Sequence, residues 1–264
     1  MDFSHYQFFK VERAGKVLTI TLNAPDKLNA LGEVGHSELS RIFVDAAEDE
    51  ASEIIVLTGA GRAFTAGGDI EYMQKLRDNP TLIHRSVREA KRIAFSLLDC
   101  DKPIICKVNG DAVGLGTTLA LFSDIVFAVD TARFGDPHNN VALIAGDGGA
   151  VMWPQVIGYA RAKHYLFTGE IIRAPEAQAM GMIHKAVPAD KLNEEVDAYV
   201  ERLLKMPVQS LRWTKQTINI GLKQLAHSMM DAGMAYEALA MRTDDHQEAI
   251  NAFREKRKPV YTHK

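Results

Sequence analysis

Residues 104–124 read Ile-Ile-Cys-Lys-Val-Asn-Gly-Asp-Ala-Val-Gly-Leu-Gly-Thr-Thr-Leu-Ala-Leu-Phe-Ser-Asp, and this stretch decides the fold. The β-branched apolar run 104–108 predicts a buried strand, Asn109-Gly110 breaks it, and residues 114–116 predict the start of an apolar helix. A strand, a glycine turn and a helix in this order leave free backbone N–H groups at the helix N-terminus, where the helix dipole favours negative charge. Such a corner can bind a phosphate or hold a developing oxyanion.

On both sides of this stretch, strand patterns alternate with helix patterns, which predicts an α/β architecture. Asp69 is placed to cap a helix that begins at Ile70. Pro175 is placed to be the first residue of a later helix. Beyond Pro188 the pattern changes to helix after helix with apolar stripes. Strands are predicted at 17–22, 54–58, 125–129 and 132–134, and helices at 33–48, 81–98, 150–157 and 161–167.

Composition excludes several classes of function. The 264 residues carry a formal net charge of −3, which gives no reason to expect a nucleic-acid or membrane partner. No apolar run approaches the roughly 18 residues that indicate a membrane span, and the N-terminus has no secretory pattern, so we expect a cytoplasmic protein. Cys100 and Cys106 lack metal-ligand spacing, which indicates reduced thiols and no metal site.

A nucleotide-binding fold is the rival interpretation of the two glycine-rich loops at 59–68 and 114–116. The dinucleotide pattern needs a third glycine after two spacer residues, but Leu119 stands there. Neither loop contains the lysine followed by Ser or Thr that a nucleoside-triphosphate loop needs. Both phosphate-binding interpretations are therefore weak.

Four motifs occur together in a characteristic order, and the ordered set resembles the crotonase family, the superfamily of enoyl-CoA hydratases and isomerases. The resemblance implies an α/β crotonase (ClpP-like) spiral of ββα units over residues 1–190, with an all-helical C-terminal trimerisation region over 191–264. It also implies homotrimers or hexamers. The motifs are Ala-Phe-Thr-Ala-Gly-Gly-Asp-Ile at 63–70, Val-Asn-Gly-Asp-Ala-Val-Gly-Leu-Gly at 108–116, Ser-Asp-Ile-Val at 123–126 and Ala-Arg-Phe-Gly at 132–135.

The resemblance implies chemistry on an acyl-CoA thioester that passes through an enolate. Two backbone N–H groups hold the enolate oxygen in this family, and they correspond here to Gly68 and Leu115. Coenzyme A enters as part of the substrate, so no separate cofactor is expected. The residues that the resemblance assigns to CoA binding are Lys27, Leu28, Ala30, Ala66, Phe253 and Lys256.

The two glutamates with which hydratases of this family add water are absent. Thr118 and His138 stand at their positions, and a threonine hydroxyl cannot replace a carboxylate base. The imidazole of His138 suits acid–base work near neutral pH, and Asp147 could orient it or accept a proton itself. The segment 138–158 is similar to 6-oxocamphor hydrolase, which cleaves a carbon–carbon bond with a histidine and an aspartate at this spacing. That hydrolase lacks the glycine turn at 114–116, so we expect a CoA thioester here.

Structural roles remain open for each of these residues. Asp147 could simply cap the next helix, and His138 could be an ordinary loop histidine. Thr118 and Trp153 are candidates for the acyl pocket, although core packing is the more common role for a tryptophan such as Trp153.

Three reactions and one non-catalytic role compete. The motifs favour water activation by His138 and Asp147 for C–C hydrolysis of a β-keto acyl-CoA. Hydration of an enoyl-CoA and double-bond isomerisation are the alternatives. A non-catalytic relative that binds acyl-CoA or RNA is a further possibility, although the acidic character of the first helix, residues 33–50, argues against RNA.

Overall fold

The computed structural model describes residues 1–263, and its strands form two sheets. The strands are β1 (Phe9–Ala14), β2 (Val17–Leu22), β3 (Ile54–Gly59), β4 (Ala63–Thr65), β5 (Ile104–Val108), β6 (Asp111–Val113), β7 (Ile125–Val129), β8 (Arg133–Gly135), β9 (Ile172–Arg173) and β10 (Lys185–Val187). The large sheet has the order β1-β2-β3-β5-β7-β10 and the small sheet the order β4-β6-β8-β9.

The helices cover the sheets and form the C-terminal part. They are α1 (Glu33–Glu48), α2 (Ile70–Asp78), α3 (Pro80–Asp99), α4 (Leu115–Phe122), α5 (Gly149–Ile157), α6 (Tyr159–Thr168), α7 (Ala174–Ala179), α8 (Leu192–Leu204), α9 (Val208–Ala240) and α10 (Asp244–Arg254). Short 3-10 turns lie at Pro25–Lys27, His138–Val141 and Ala189–Lys191. No helix in residues 1–263 combines the length and hydrophobicity that crossing a membrane requires.

Successive strand pairs each give one strand to each sheet, so the chain advances as a spiral of ββα units. The pairs β3/β4, β5/β6 and β7/β8 run from the large sheet to the small one. Because β4, β6 and β8 are parallel neighbours, their carboxyl ends lie at one edge of the small sheet. Gly68, Leu115 and His138 follow these three ends within three residues. The topology therefore gathers the candidate site at one edge.

Most elements predicted from the sequence are confirmed, with small shifts at their ends. Asp69 caps α2 as expected, because its carboxylate accepts hydrogen bonds from the backbone N–H groups of Glu71 and Tyr72 at 2.9 and 3.0 Å. Pro175 is the second residue of α7, which begins at Ala174. The strand predicted at 132–134 lies one residue later in the chain.

The long helix α9 is anchored to the sheet by a buried lysine. Lys215 Nζ lies 2.8 Å from Asp124 Oδ2 and donates a hydrogen bond of 2.8 Å to the backbone carbonyl of Lys102. Within the described residues no strand follows Val187, and the α-helices of this part are α8, α9 and α10. The division at residue 190 into two regions stays a prediction.

Asn29 joins the turn that precedes α1 to the first glycine-rich loop. The side chain is fully buried, and its backbone φ of 55° lies in the left-handed region, which Asn tolerates better than most residues. Its Oδ1 accepts from the backbone N–H of Ala24. Its Nδ2 donates to three backbone carbonyls of the loop, those of Ala60, Ala63 and Phe64. This one amide therefore fixes the position of the loop that leads to Gly68.

We expect Asn29→Ala to lower the free energy of unfolding by about 2–4 kcal/mol, because it leaves buried backbone groups unpaired and strains the left-handed backbone. Urea denaturation measures the change. Asn23→Ala is the matched control, since Asn23 is exposed in the same segment. Equal destabilisation by the two substitutions would contradict this role of Asn29.

Candidate active site

The backbone amides of Gly68 and Leu115 are free and line one cavity. Leu115 is the first residue of α4, so its N–H has no acceptor within the helix. Among residues 1–263, neither amide donates a hydrogen bond to a protein acceptor. Bonds on either side fix the Gly68 amide: Leu31 N–H donates to the carbonyl of Gly67, and Asp69 N–H donates to the carbonyl of Leu31. Both amides are thus held in place and can donate to a group bound in the cavity.

Glycine at position 116 lets the two donor loops approach each other. A Cβ on Gly116 would lie 2.6 Å from Thr65 Cγ2, closer than packed side chains tolerate. Gly114, with φ of 55°, turns the chain from β6 into α4, and its N–H donates to the carbonyl of Gly135 at 2.8 Å. The glycine turn therefore positions the Leu115 amide against both neighbouring strands.

The cavity has a volume of about 640 Å³ and extends from the protein surface to the donor pair. Of the residues expected to bind CoA, Lys256 does not line it. Phe253 is 63 % exposed, which places it at the mouth. The expected CoA-binding residues that do line the cavity are Lys27, Leu28, Ala30, Ala66 and Phe253.

His138 lies between two carboxylates. Its Nδ1 hydrogen-bonds Asp136 Oδ1, and its Nε2 lies 3.7 Å from Asp147 Oδ2. Burial alone lowers the pKa of His138, but the negative charges of Asp136 and Asp147 raise this pKa well above its usual value. The imidazole therefore holds a proton at neutral pH. Asp136 is a residue that sequence reasoning assigned no role, and it orients the ring.

Asp147 lies beside Thr118 and His138, the two positions at which hydratases of the crotonase family carry glutamates. Its Oδ2 faces His138, and its Oδ1 accepts a hydrogen bond from Thr118 Oγ1 at 3.5 Å. Burial raises the pKa of Asp147, and the charge of His138 opposes this rise. Gly148 occupies the capping position of α5, but the carboxylate of Asp147 accepts a hydrogen bond from the backbone N–H of Gly149, the first residue of that helix, so Asp147 also contributes to the helix start.

Glu237 is a further carboxyl of the site, which the sequence analysis did not identify. It lies on α9, is 6 % exposed and lines the same cavity. Its Oε2 is buried and has no partner among the described residues. Burial, followed by the charge of Asp147, raises the pKa of Glu237 to about 8, so this group is neutral at pH 7. The sequence did contain a signal for it: Glu237 interrupts the apolar helical stripe formed by Met230, Met234 and Met241, which indicates a buried carboxyl.

Trp153 does not line the cavity. Its side chain is fully buried, and its ring centre lies 6.0 Å from that of Tyr165 in the core. Thr118 is also buried and reaches the site only through Asp147. The structure therefore does not bring these two residues together as an acyl pocket.

Asp136, His138 and Asp147 each offer one ligand atom within 4.8 Å of the others, a spacing that a metal ion could use. Nδ1 of the imidazole is already hydrogen-bonded to Asp136, however, and the raised pKa of His138 favours the protonated ring, which has no lone pair for a metal ion. The arrangement fits acid–base chemistry better than metal ligation.

Comparison with known proteins places this chain in a family. The profile of the family described as enoyl-CoA hydratase/isomerase matches residues 12–264. The 1,2-epoxyphenylacetyl-CoA isomerase of Escherichia coli is 34% identical over 250 residues, which are 94% of this chain and 95% of that protein. The crotonyl-CoA hydratase of Syntrophomonas wolfei is 31% identical over an alignment of 265 positions, which covers 98% of this chain and 99% of that protein.

Solved structures agree. An enoyl-CoA hydratase/isomerase from Mycobacterium paratuberculosis superposes with a TM-score of 0.89 at 34% identity, covering 92% of this chain and 97% of that one. A β-diketone hydrolase from the cyanobacterium Anabaena, solved with (S)-3-oxocyclohexyl acetic acid, gives a TM-score of 0.85 at 28% identity. The superposition covers 91% of this chain and 96% of that one. The chain has the crotonase fold and belongs to the enoyl-CoA hydratase/isomerase (crotonase) superfamily of acyl-CoA enzymes.

Proposed function

We propose that this enzyme hydrolyses a carbon–carbon bond of a β-keto acyl-CoA, with Gly68 and Leu115 holding the thioester oxygen and His138 and Asp147 activating water. The observation that carries the proposal is one cavity that contains both parts: two unpartnered backbone amides, and a histidine paired with carboxylates where glutamates are missing.

The amides of Gly68 and Leu115 stabilise negative charge on the thioester oxygen. They are fixed before substrate binds, so they need no reorganisation when charge develops, and removing one such donor typically costs about 3 kcal/mol of transition-state stabilisation. Because both donors belong to the backbone, Leu115 can supply one despite its apolar side chain.

Water activation falls to the pair formed by His138 and Asp147. The imidazole already holds a proton, whereas the carboxylate of Asp147 has a raised pKa and is therefore a stronger base than an ordinary aspartate. Asp147 takes a proton from water while the oxygen attacks the β-keto carbon. The imidazolium of His138 stabilises the negative charge of the resulting tetrahedral intermediate.

Collapse of that intermediate breaks the bond between C2 and C3. The electron pair becomes the thioester enolate, whose oxygen is held by Gly68 and Leu115, and C3 becomes a carboxylic acid. C2 then needs a proton, which we assign to the neutral carboxyl of Glu237. Asp147 holds the proton that came from water and can return it to Glu237, so the site ends as it began.

The named activity of one structural neighbour supports hydrolysis. The Anabaena protein is a β-diketone hydrolase, and its structure covers 91% of this chain. The glycine turn at 114–116 and the open mouth beside Lys27 support a CoA thioester as the substrate here.

Hydration or isomerisation of an enoyl-CoA is the second candidate, because the relatives named above include a crotonyl-CoA hydratase and an epoxyphenylacetyl-CoA isomerase. The same donor pair would serve both reactions. Assembly as a trimer or hexamer, a cytoplasmic location and the absence of a separate cofactor stay predictions of the family resemblance.

We expect incubation with a cyclic β-keto acyl-CoA to give a product heavier by one water, a ring-opened acid that retains CoA. His138→Gln and Asp147→Asn should lower kcat by about 10²–10⁴-fold, the usual contribution of a positioned acid or base. Mass spectrometry identifies the product and, in a time course, gives kcat for each variant. His164→Gln is the control, since His164 is exposed.

Three outcomes would contradict this mechanism. Turnover of enoyl-CoA with no attack on the β-keto substrate would favour hydration. Exchange of deuterium into an enoyl-CoA without net addition of water would favour isomerisation. Unchanged kcat in both variants would remove His138 and Asp147 from the chemistry.

Glu237 gives a stability prediction whose sign is fixed by its pKa. The ordinary pKa of a glutamate is 4.5, and folding raises that of Glu237 to about 8. Between these values the folded chain holds a proton that the unfolded chain has released. The free energy of unfolding therefore falls as pH rises, by up to about 1.4 kcal/mol per pH unit for this group.

We expect Glu237→Gln to reduce this fall between pH 5 and pH 8 and to gain stability relative to the unmodified enzyme as pH increases. Urea denaturation at each pH measures the free energy of unfolding of both proteins. Asp231→Asn is the control on the same helix, because the Asp231 side chain is 72 % exposed. Parallel pH curves for Glu237→Gln and the unmodified enzyme would show that Glu237 is ionised at pH 7.

A further inference from the structure

One wall of the cavity presents polar groups that the reaction above does not use. His36 on α1, Tyr72 on α2 and Ser86 on α3 all line the cavity, next to the apolar Leu76 and Ala90. Each of the three polar residues is less than 10 % exposed, at 8 %, 6 % and 5 % in that order. Polar side chains on an otherwise apolar wall are the usual means by which a pocket selects an oriented ligand.

His36 is held in one orientation from behind. Its Nδ1 lies 2.9 Å from Glu89 Oε2, and Glu89 Oε1 accepts a hydrogen bond of 2.8 Å from Arg85 Nε. Burial raises the pKa of Glu89, but the hydrogen bonds from His36 and Arg85 lower it to about 2, so the carboxylate is ionised. An ionised carboxylate accepts hydrogen bonds only, and Nδ1 of His36 therefore carries the shared proton.

This arrangement leaves Nε2 of His36 for the cavity. No hydrogen bond joins Nε2 to any residue in the part of the chain that the structure describes. In the neutral ring Nε2 is an acceptor, and in the protonated ring it is a donor. A carboxylate that holds Nδ1 and so presents the other ring nitrogen to a ligand is a common way to fix the tautomer of a functional histidine.

Two hydroxyl groups lie on the same wall. Burial raises the pKa of Tyr72, and the neighbouring Ser86 hydroxyl partly opposes this rise, so the phenol stays neutral and can donate. The ring centres of His36 and Tyr72 are 6.1 Å apart. Asp147 and His138 line the same cavity, so this wall adjoins the reaction site.

We propose that His36, Tyr72 and Ser86 bind an oxygen substituent of the acyl group, so that the substrates are oxygenated acyl-CoA thioesters. The proposal rests on the proposed function, because it concerns the acyl end of the same cavity. A purely hydrocarbon acyl group would remove water from these three polar groups and give no hydrogen bond in return, which costs binding energy. A hydroxyl or ketone oxygen replaces that water.

Binding of four saturated thioesters tests the proposal: hexanoyl-CoA, 5-hydroxyhexanoyl-CoA, 5-oxohexanoyl-CoA and adipoyl-CoA. None has a β-keto group or a carbon–carbon double bond, so the enzyme cannot turn them over. Calorimetry therefore gives the Kd of each compound directly. We expect the hydroxy or oxo compound to bind roughly three- to tenfold more tightly than hexanoyl-CoA, the effect of one net hydrogen bond. Tightest binding of adipoyl-CoA would identify a carboxylate as the oxygen group.

His36→Asn is the informative variant. The asparagine amide can still donate to Glu89, so that buried carboxylate keeps its partner, but nothing replaces Nε2 in the cavity. We expect the preference for the oxygenated compound to fall to about one- to twofold while the Kd of hexanoyl-CoA stays the same. His84→Asn is the control, since His84 is exposed on α3.

Two results would overturn the proposal. Equal Kd values for all four thioesters in the unmodified enzyme, or a preference that survives in His36→Asn, would remove the oxygen subsite and leave the acyl-CoA function intact. A failure of every thioester to bind would instead overturn the acyl-CoA function on which the subsite depends.

Discussion

The structure depends on one constraint, which is that two backbone N–H groups from different loops must line the same cavity with no protein acceptor among residues 1–263. Three parallel strands of the small sheet meet this constraint, because their carboxyl ends lie at one edge and the loops that follow carry Gly68, Leu115 and His138. Asn29 holds the first loop, and Gly116 allows the second to approach it. The fold thus supplies both donors from its backbone, and no side chain is needed to provide them.

Burial of charge is the second principle of the site. One imidazole lies among three carboxyl groups, and water cannot screen them, so their protonation states are set by one another. The outcome is a division of roles: Asp136 hydrogen-bonds His138, burial raises the pKa of Asp147, which is the base of the proposed reaction, and Glu237 is neutral at pH 7. Helix α9 contributes to this division from far along the chain, held in place by Lys215.

Local pattern was sufficient for much of this structure. Alternation predicted β2, and the glycine turn predicted the start of α4, because both depend on neighbours in sequence. Long-range relations were not visible. Glu237 lies 90 residues after Asp147 in the chain, and no local rule brings them together. For Trp153 and Asp147 the sequence offered two roles and no means to choose. A tryptophan near a site can line the pocket or belong to the core, and an aspartate before a helix can act in the site or cap the helix. Only the packing of the folded chain distinguishes these roles.

The most direct measurement is the infrared stretch of a ¹³C-labelled thioester carbonyl in bound hexanoyl-CoA. If the amides of Gly68 and Leu115 both donate to that oxygen, the stretch falls to lower frequency on binding. Leu115→Pro, which removes one N–H at a first helical position where proline is tolerated, should reduce the fall, while Leu115→Ala should not. A carbonyl stretch unchanged from its value in water, with the thioester demonstrably bound, would contradict the account.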